Sequence, residues 1–560
     1  MITERLDGLD GSRHDLCIVG AGPVGLTLAL EWARRGRRVL VLESGGRKPD
    51  AETTALSAAE IVDPARHDAM TIAVARRLGG TSNLWAGRCL PFDPIDFEPR
   101  PMVGDARWPF GLDELAPHYA AACAYAGCGA PVFRDALPDA GRGPADDAFD
   151  AGRLERFSNQ PRFHKAHAAA LENDPRIDLR LGATVVEAVF TETGRIAGLV
   201  VAGPDGTRYR VAAERVVLAC GGLETARLLL AFRRDRPDRF GGADGPLGCG
   251  YMGHLIGEVA DITFADAATE AAFDFYRDGR GSYARRRMIP SDALQRAEAL
   301  PNVSFWPVVP PSADPRHGSA ILSAVLLALS VGPLGRMVVA EAIRKRHVPD
   351  RFDRWPHVLN VLRGLPAAAA FLPAFLLRRR FARERLPGFF VRNAARTYGL
   401  SYHAEHWPDR SSRVWLTGET DRLGLPRLAI DLRFSRDNAE GVLRAHDALG
   451  AWLERTGLGR MAWRGPREAV VDSILAKAAH GTHQIGVARM GLSRATAVVD
   501  ADLACFDCPN LHVVGTAVLP TSGQANPTLT AIALAVRLAG HLAGEGGSGT
   551  PALSSSPAAP

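Results

Sequence analysis

The chain has 560 residues, of which 46% are hydrophobic and 23% are charged. This composition is typical of a globular protein with more than one domain, and it excludes a fibrous or disordered chain. The formal net charge of +5 is small for this length and comes with no nucleic-acid-binding motif, which argues against binding to nucleic acid.

The first predicted elements are a strand, a glycine-rich turn, a helix and a second strand. The apolar run Asp15–Val19 leads into Gly20-Ala21-Gly22-Pro23-Val24-Gly25, a helix is predicted over 26–35, and the strand over 38–42 ends at Glu43. This glycine pattern is weak evidence alone, but the strand before it and the acidic residue after it strengthen it. The unit predicts a Rossmann-like fold that binds an adenine dinucleotide.

Each residue type in this unit has its own role. Gly20 permits a tight turn, Gly22 lets the backbone approach a pyrophosphate, and Gly25 lets the helix and strand pack closely. The helix N-terminus then faces the phosphates. Glu43 can accept hydrogen bonds from ribose hydroxyls.

Two later blocks repeat the strand-and-helix pattern, so the nucleotide-binding domain is predicted to be built from discontinuous segments. The predicted elements are strands over 179–181, 183–189, 196–201, 209–211, 215–220 and 511–515, and helices over 224–232 and 530–542. The fold class is therefore α/β, or α+β over the whole chain, with a second domain of sheet and helices between the blocks.

Composition and these blocks predict the domain boundaries. The nucleotide-binding domain spans 1–255, with insertions around 90–170, and the substrate-binding domain spans 256–475. Residues 476–543 return to the first domain. The segment 544–560, rich in Gly, Ser, Pro and Ala, is expected to be a disordered tail.

Two apolar stretches stand out in the middle of the chain. Residues 319–335 are uncharged but short, and 364–377 contain two prolines and lead into Arg378-Arg379-Arg380. Neither reaches the roughly 20 residues that a spanning helix needs. They are interpreted either as a buried helix pair or, over 319–335 and 364–380, as a contact with a membrane surface or a hydrophobic partner.

The cysteines and the N-terminus predict a cytoplasmic protein, peripheral to the membrane if the apolar stretches contact it. Eight cysteines are scattered over the chain, too few for a disulfide framework, and the Cys505–Cys508 pair has no second pair nearby for zinc. The polar N-terminal segment 1–15 lacks the apolar core of a signal peptide.

Two polar residues in the last block are candidates for catalysis. Oxidising a carbon that bears a hydroxyl requires a hydride acceptor and a base that titrates near neutral pH, which makes histidine the natural choice. His483 precedes a glycine turn, and Asn526 can hold the substrate oxygen in place. Asn526-Pro527-Thr528 is also typical of a helix start, with Asn526 as the N-cap, and both interpretations can hold together.

Taken together, these motifs resemble the glucose–methanol–choline (GMC) oxidoreductase family over most of the chain, apart from 256–395. Motifs in the family's order carry the resemblance: GAGPVG at 20–25, LGGTSNLWAGRCLPFDPIDFE at 78–98, ACGGLETARLLL at 219–230, LGCGYMGHL at 247–255, SSRVWL at 411–416, HQIGVARMG at 483–491 and NLHVVGTAVLPTSGQANPTLTAIALAVRLAGHL at 510–542. The resemblance implies the GMC fold, with a discontinuous FAD-binding domain, and oxidation of an alcohol.

The resemblance also assigns roles to single residues. It implies that His483 is the catalytic base and that Asn526 occupies the second catalytic position. The residues that it implies in FAD binding are Gly20, Gly22, Gly25 and Glu43 for the ADP part, Gly79, Gly80, Thr81, Ser82 and Asn83 in the loop against the flavin, Val185 on the adenine side, and Gly515, Thr516, Pro527 and Thr528 at the last strand and helix.

Departures from the family pattern add further expectations. Some family members link flavin covalently to a histidine beside the Trp of the 78–98 motif, but Leu84 precedes Trp85 here, so noncovalent FAD is expected. His480 is expected to be structural or to line the entrance. The group His403-Ala404-Glu405-His406 lacks HExxH spacing, so no metal is expected.

The predicted function is FAD-dependent oxidation of a sugar, polyol or glycoside-type alcohol to the carbonyl. The electron acceptor, whether oxygen, a quinone or a separate redox protein, stays open. Three alternatives remain: a bulky apolar alcohol as the substrate, motivated by the apolar stretches; a flavin-binding lyase of the same fold; and the catalytic subunit of a membrane electron-transfer complex.

Overall fold

A computed structural model describes residues 1–137, 146–332, 348–349, 351–478 and 481–544. The strands in these ranges are β1 Ile2–Thr3, β2 Ser12–Val19, β3 Val39–Glu43, β4 Glu60–Ile61, β5 Arg88–Cys89, β6 Phe149–Phe157, β7 Ile177–Leu181, β8 Thr184–Phe190, β9 Ile196–Ala202, β10 Arg208–Leu218, β11 His254–Phe264, β12 Tyr276–Arg277, β13 Tyr283–Pro290, β14 Val303–Val308, β15 Thr397–Glu405, β16 Arg413–Thr420, β17 Pro426–Asp431, β18 Gly459–Trp463, β19 Ala504–Cys505 and β20 Cys508–Val513.

The α-helices of the same ranges are α1 Pro23–Arg34, α2 Ala51–Ala55, α3 Met70–Ala73, α4 Leu112–Leu115, α5 Tyr119–Ala126, α6 Phe163–Ala166, α7 Ala168–Asn173, α8 Gly222–Arg234, α9 Ala267–Ala272, α10 Asp292–Ala297, α11 Ala320–Ser330, α12 Trp355–Arg363, α13 Leu365–Arg380, α14 Arg436–Arg455, α15 Val470–Lys477 and α16 Thr528–Leu542.

A mostly parallel sheet forms the first layer, in the order β1-β7-β3-β2-β10-β20-β19. Pairs from β1 to β20 along this order are parallel, and β9 and β8 extend the sheet antiparallel from β10. The buried apolar ends of β2 and β10 explain why these strands are central. This discontinuous Rossmann-like sheet confirms the predicted fold class.

The predicted strands over 209–211 and 215–220 are one strand in the structure. β10 runs from Arg208 to Leu218, first pairing with β9 and then continuing between β2 and β20. The segment Ala212-Ala213-Glu214-Arg215 resembles a break in the sequence, yet backbone pairing with β2 carries the strand through it.

A second, antiparallel sheet has the order β18-β11-β15-β14-β13-β6-β5. Helices α14 and α15 cover it, and their apolar faces share a buried core with the sheet. Strands β5 and β6 come from the part of the chain in which insertions are expected. The domain boundaries at 255, 475 and 543 stay a prediction.

The two apolar stretches fold as helices that differ in burial. In the first, α11 is partly buried, whereas residues 333–335 lie outside the described ranges. In the second, Ala368 is the one buried residue of the fully described helix α13, so a buried helix pair is wrong for this stretch. No single helix in the described part of the chain is long and apolar enough to cross a membrane. Helices α12 and α13 meet that test only together, as a pair bent by 90°.

Candidate active site

The carboxyl ends of four parallel strands lie side by side. Val19 pairs with Leu42 of β3 and with Leu218 of β10, and Leu218 pairs with Val513 of β20. This edge of a parallel sheet is where α/β proteins bind their ligands. The segments that follow these strands gather there: 20–25, 43–45, 219–221 and 514–518.

The glycine-rich turn has the geometry that the sequence predicts. Gly20 has a φ of 106°, and a Cβ there would lie 2.6 Å from the carbonyl oxygen of Ala219. A Cβ at Gly25 would collide with the carbonyl oxygen of Gly20. At Gly22, the N-cap of α1, an added Cβ meets only the Gly80 Cα at 3.9 Å, so a larger side chain there would fill the space beside the helix N-terminus.

A second loop packs against this turn. Gly79 and Gly80 have φ values of 88° and 52°, and residues Gly80–Asn83 form a 3₁₀ turn. The Gly79 N–H donates a hydrogen bond of 2.9 Å to the carbonyl oxygen of Ala21. A Cβ at Gly80 would lie 2.8 Å from the Gly22 Cα, so the close approach of the two loops requires glycine.

The polar side chains of this loop hold its shape. Ser82 Oγ accepts from the Phe163 N–H at 3.1 Å, Thr81 Oγ1 accepts from the Ala75 N–H at 3.3 Å, and Asn83 Nδ2 donates to the Gly80 carbonyl oxygen at 2.8 Å. These bonds fix the loop beside the dinucleotide turn. Direct contact of Thr81, Ser82 and Asn83 with the flavin stays a prediction.

Glu43 does more than the sequence indicates. Its two carboxylate oxygens accept the N–H groups of Ala21 and Gly45, each at 2.9 Å, and the residue is 6% exposed. Burial raises the pKa of the Glu43 carboxyl, although these hydrogen bonds and Arg76 oppose the rise. The side chain therefore holds the glycine turn in place, and its remaining lone pairs can still accept a ribose hydroxyl.

The other predicted cofactor residues lie along the same edge. Val185 of β8 is buried next to Thr184, whose Oγ1 hydrogen-bonds to Ser44 Oγ at 2.8 Å, directly after β3. Gly515, with a φ of 135°, and Thr516 follow β20.

Helix α16 begins at Thr528, with Pro527 as its N-cap. The prediction that Asn526 is the N-cap is therefore wrong by one residue, because the Asn526 side chain points to a histidine instead of the first helical turn.

The structure brings the two predicted catalytic residues together. The Asn526 Nδ2 group donates to His483 Nε2 at 3.3 Å. Asn526 Oδ1 is buried and has no hydrogen-bond partner among the described residues, so a ligand with N–H or O–H groups would satisfy it. This pairing, across 43 residues of chain, is the centre of the candidate active site.

A third residue, His254 at the start of β11, fixes the orientation of His483. Their Nδ1 atoms lie 2.9 Å apart, and His254 Nε2 lies 3.2 Å from the carbonyl oxygen of Ser522. Burial, and then the charge of His483, lower the pKa of His254 well below its ordinary value, so His254 is neutral. The hydrogen-bond network assigns its proton to Nε2, facing Ser522. His254 Nδ1 therefore accepts the proton of His483 Nδ1, and His483 Nε2 carries the lone pair of a base.

His403 of β15 completes a group of three imidazoles. It stacks on His254 with ring centroids 4.0 Å apart, and its Nδ1 lies 2.6 Å from the carbonyl oxygen of Gln524. Nitrogen atoms of His254, His403 and His483 lie within 4.8 Å of one another, a spacing that a metal could use. The hydrogen bond between His254 and His483 already uses Nδ1 of both rings. The expectation of no metal stays a prediction.

Sequence reasoning missed His254 and His403 as neighbours of His483. His254 lies in the LGCGYMGHL motif and His403 in the group first weighed as a metal site, so both carried a signal. Their partner was not visible, because strand pairing places them beside a residue far away in the sequence. His480 lies outside the described residues.

Replacing His254 by phenylalanine is expected to slow flavin reduction by roughly 10- to 100-fold while FAD stays bound. The ring shape remains, but His483 loses its acceptor and its proton can move to Nε2. His254→Asn is the matched control, because its Oδ1 can accept near the position of Nδ1. Anaerobic stopped-flow absorbance measures both rates, and equal rates in the two variants would contradict the hydrogen-bond role.

The residues at this edge fit FAD. The two glycine loops leave the N-terminus of α1 accessible for a pyrophosphate, and Glu43 keeps lone pairs for a ribose. Asn526 Oδ1 has no partner among the described residues, so a ring with N–H groups could bind there.

Comparison with known proteins agrees with this site. Residues 15–240 match the family model of FAD dependent oxidoreductases, and residues 408–535 match the model of GMC oxidoreductases. The first range contains both glycine loops, and the second contains His483 and Asn526.

Similar proteins span nearly the whole chain. Paromamine 6'-oxidase of Streptomyces fradiae is 24% identical over 95% of this chain and 91% of its own. The 6'''-hydroxyparomomycin C oxidase of Streptomyces lividus is 22% identical over 95% and 92%. The crystal structure of pyridoxine 4-oxidase from Mesorbium loti shares the fold with a TM-score of 0.50 at 18% identity, covering 94% of this chain and 99% of that chain.

Fold, site and family matches define an FAD-dependent alcohol oxidoreductase. The chain combines an FAD dependent oxidoreductase domain with a GMC oxidoreductase domain in its C-terminal part, as the sequence motifs indicate.

Proposed function

We propose that this enzyme oxidises a hydroxyl-bearing carbon of a sugar, polyol or glycoside-type alcohol to the carbonyl. The observation that carries the mechanism is the contact between Asn526 Nδ2 and His483 Nε2, with His483 Nδ1 bonded to His254. A substrate hydroxyl placed between the two side chains gives its proton to His483 Nε2, while the Asn526 amide donates to the substrate oxygen. Bound FAD supplies the hydride acceptor.

The surroundings of the pair favour a polar substrate over a bulky apolar alcohol. Gln524, two residues before Asn526, accepts from Arg287 at 3.1 Å and donates to Asp93 at 2.9 Å. Arg287 also lies over the ring of Trp306, 4.5 Å from its centroid. Two relatives that span this chain, the paromamine 6'-oxidase and the 6'''-hydroxyparomomycin C oxidase, support the same substrate class.

The test is anaerobic absorbance of the purified yellow protein with sugars, glycosides, polyols and long-chain alcohols. Loss of the oxidised flavin band with a member of the first three classes is expected. Bleaching by long-chain alcohols alone would contradict the substrate class, and no bleaching by any alcohol would contradict the reaction. Adding oxygen, a quinone or a redox protein to the reduced enzyme then identifies the electron acceptor.

FAD is expected to be held without a covalent bond. Leu84 occupies the position of the linking histidine, and Trp85 donates its indole N–H to the Pro161 carbonyl oxygen at 2.5 Å. Acid precipitation should therefore release the flavin into the supernatant. Flavin that stays with the precipitate would contradict this and would point to His164, whose Nδ1 lies against Gly79.

The compartment proposed for the enzyme is the cytoplasm. All eight cysteines are free, and six of them are buried, as expected where thiols stay reduced. Cell fractionation tests this, and recovery from a secreted or periplasmic fraction would contradict it.

A further inference from the structure

Helices α12 and α13 and Phe381 together form the apolar hairpin, residues Trp355–Phe381. This hairpin exposes apolar side chains to solvent and buries polar ones. Its apolar residues face solvent: Trp355 is 64% exposed, Leu362 60%, Leu377 59% and Phe381 81%. Among the described residues, eleven large hydrophobic side chains are exposed, and seven of them lie between 331 and 381. Such a concentration marks an interaction surface.

The inner side of the hairpin is polar. His357 and Asn360 of α12 are buried against α11, where His357 Nδ1 hydrogen-bonds to Ser323 Oγ at 3.0 Å. Asn360 Nδ2 donates to the Pro315 carbonyl oxygen at 2.8 Å. These bonds fix the orientation of α12. Trp355 and Leu362 therefore face outward because the helix is packed in this orientation.

The charged side chains from Trp355 to Arg383 all have one sign, and Asp353 and Glu384 flank this stretch. From Trp355 to Arg383 the sequence contains five arginines and no acidic residue. Between Leu365 and Leu377 it contains no polar side chain at all, and Arg378 and Arg380 follow, both exposed. An apolar face bordered by arginines, with tryptophan at its edge, matches the layered chemistry of an anionic bilayer surface.

The dimensions place the hairpin on a bilayer and not across it. Helix α13 has 16 residues, which makes it about 24 Å long, shorter than the ~30 Å hydrocarbon core. It contains Pro373, and the 90° bend separates it from α12. A short, exposed apolar helix that ends in arginines is suited to lie in the interface plane, with its apolar side chains in the acyl boundary and its arginines at the headgroups.

We propose that the apolar hairpin docks the enzyme on the surface of an anionic phospholipid bilayer. The segment after the hairpin is attached to the loop 159–161, where the Arg385 N–H donates to Asn159 Oδ1 at 3.0 Å. Trp85 of the 78–98 motif donates to the Pro161 carbonyl oxygen of this loop. The end of the hairpin is thus anchored close to the 78–98 motif, which is predicted to lie against the flavin.

The experiment measures co-sedimentation of the FAD-loaded enzyme with vesicles of phosphatidylcholine, alone or mixed with phosphatidylglycerol. Binding to the mixed vesicles is expected, and it should weaken as salt rises. The double variant Leu376→Gln/Leu377→Gln should bind at least roughly tenfold more weakly, because it removes exposed apolar area. Arg378→Ser/Arg380→Ser should also lose roughly tenfold or more.

Leu492→Gln and Arg234→Ser are the matched controls, since both side chains are exposed elsewhere on the molecule. Every variant is compared at equal FAD content, and Leu365→Gln replaces the leucine pair if that variant loses FAD. The proposal is overturned if the wild type does not bind mixed vesicles, if it binds neutral ones equally well, or if the hairpin variants bind like the controls. Self-association of the wild type through the hairpin without vesicle binding would also overturn it.

Discussion

Replacing His483 by alanine is expected to slow the reduction of bound flavin roughly 10²–10⁴-fold, the usual effect of losing a general base. In the native protein, His254 holds the proton on Nδ1 of His483, so Nε2 is the nitrogen that takes the substrate proton. The variant should still bind FAD, because His483 makes none of the contacts that shape the two glycine loops. Anaerobic stopped-flow absorbance at saturating substrate measures the rate.

His541→Ala serves as the control for His483→Ala. His541 lies near the end of α16, is 41% exposed and pairs with Asp502 at 3.3 Å. It is not one of the three clustered histidines. Its rate should equal that of the wild type. A rate in His483→Ala within a few-fold of wild type would remove His483 from proton transfer and leave Asn526 without its partner in the mechanism.

Replacing Gly22 by valine is expected to abolish FAD binding while the chain still folds. A Cβ at this position meets no atom closer than the Gly80 Cα at 3.9 Å, so the protein itself tolerates it. The added methyl groups instead occupy the place at the N-terminus of α1 where the pyrophosphate is expected. Absorbance of the purified protein, with circular dichroism as the measure of folding, shows the effect.

Gly418→Val is the matched control for Gly22→Val. Gly418 lies in strand β16 and has open space around its Cα, so the same substitution should leave the flavin content unchanged. A folded Gly22→Val protein with a full complement of flavin would contradict the role of the turn. Loss of FAD from both variants would show that valine acts through general destabilisation.

The nucleotide-binding half of the site was predictable because its signals are local. Gly20, Gly22 and Gly25 lie within one turn, and Glu43 ends the next strand, so spacing alone carries the argument. His483 and Asn526 could be chosen among the polar residues only through the family motifs around them. Their contact was then confirmed by a single hydrogen bond.

The remaining features depend on tertiary structure. His254 meets His483 because β11 begins beside the bridge between Met252 and Ile485, and neither local sequence predicts this pairing. The exposure of α13 was equally hidden, because an apolar run in a buried helix has the same composition as one on a surface. Strand β10 shows the opposite error: the segment 212–215 suggests two separate strands, but its backbone pairs with β2 and joins them into one.

The order of strands in the parallel sheet has a consequence for folding during synthesis. β10 ends at Leu218 and its neighbour β20 begins at Cys508, so the ribosome makes the whole of 219–507 between them. At the usual pace of translation this interval lasts on the order of tens of seconds. Throughout it, one edge of β10 is open to pairing with other chains. The yield of soluble protein is therefore expected to rise with the supply of chaperones during synthesis.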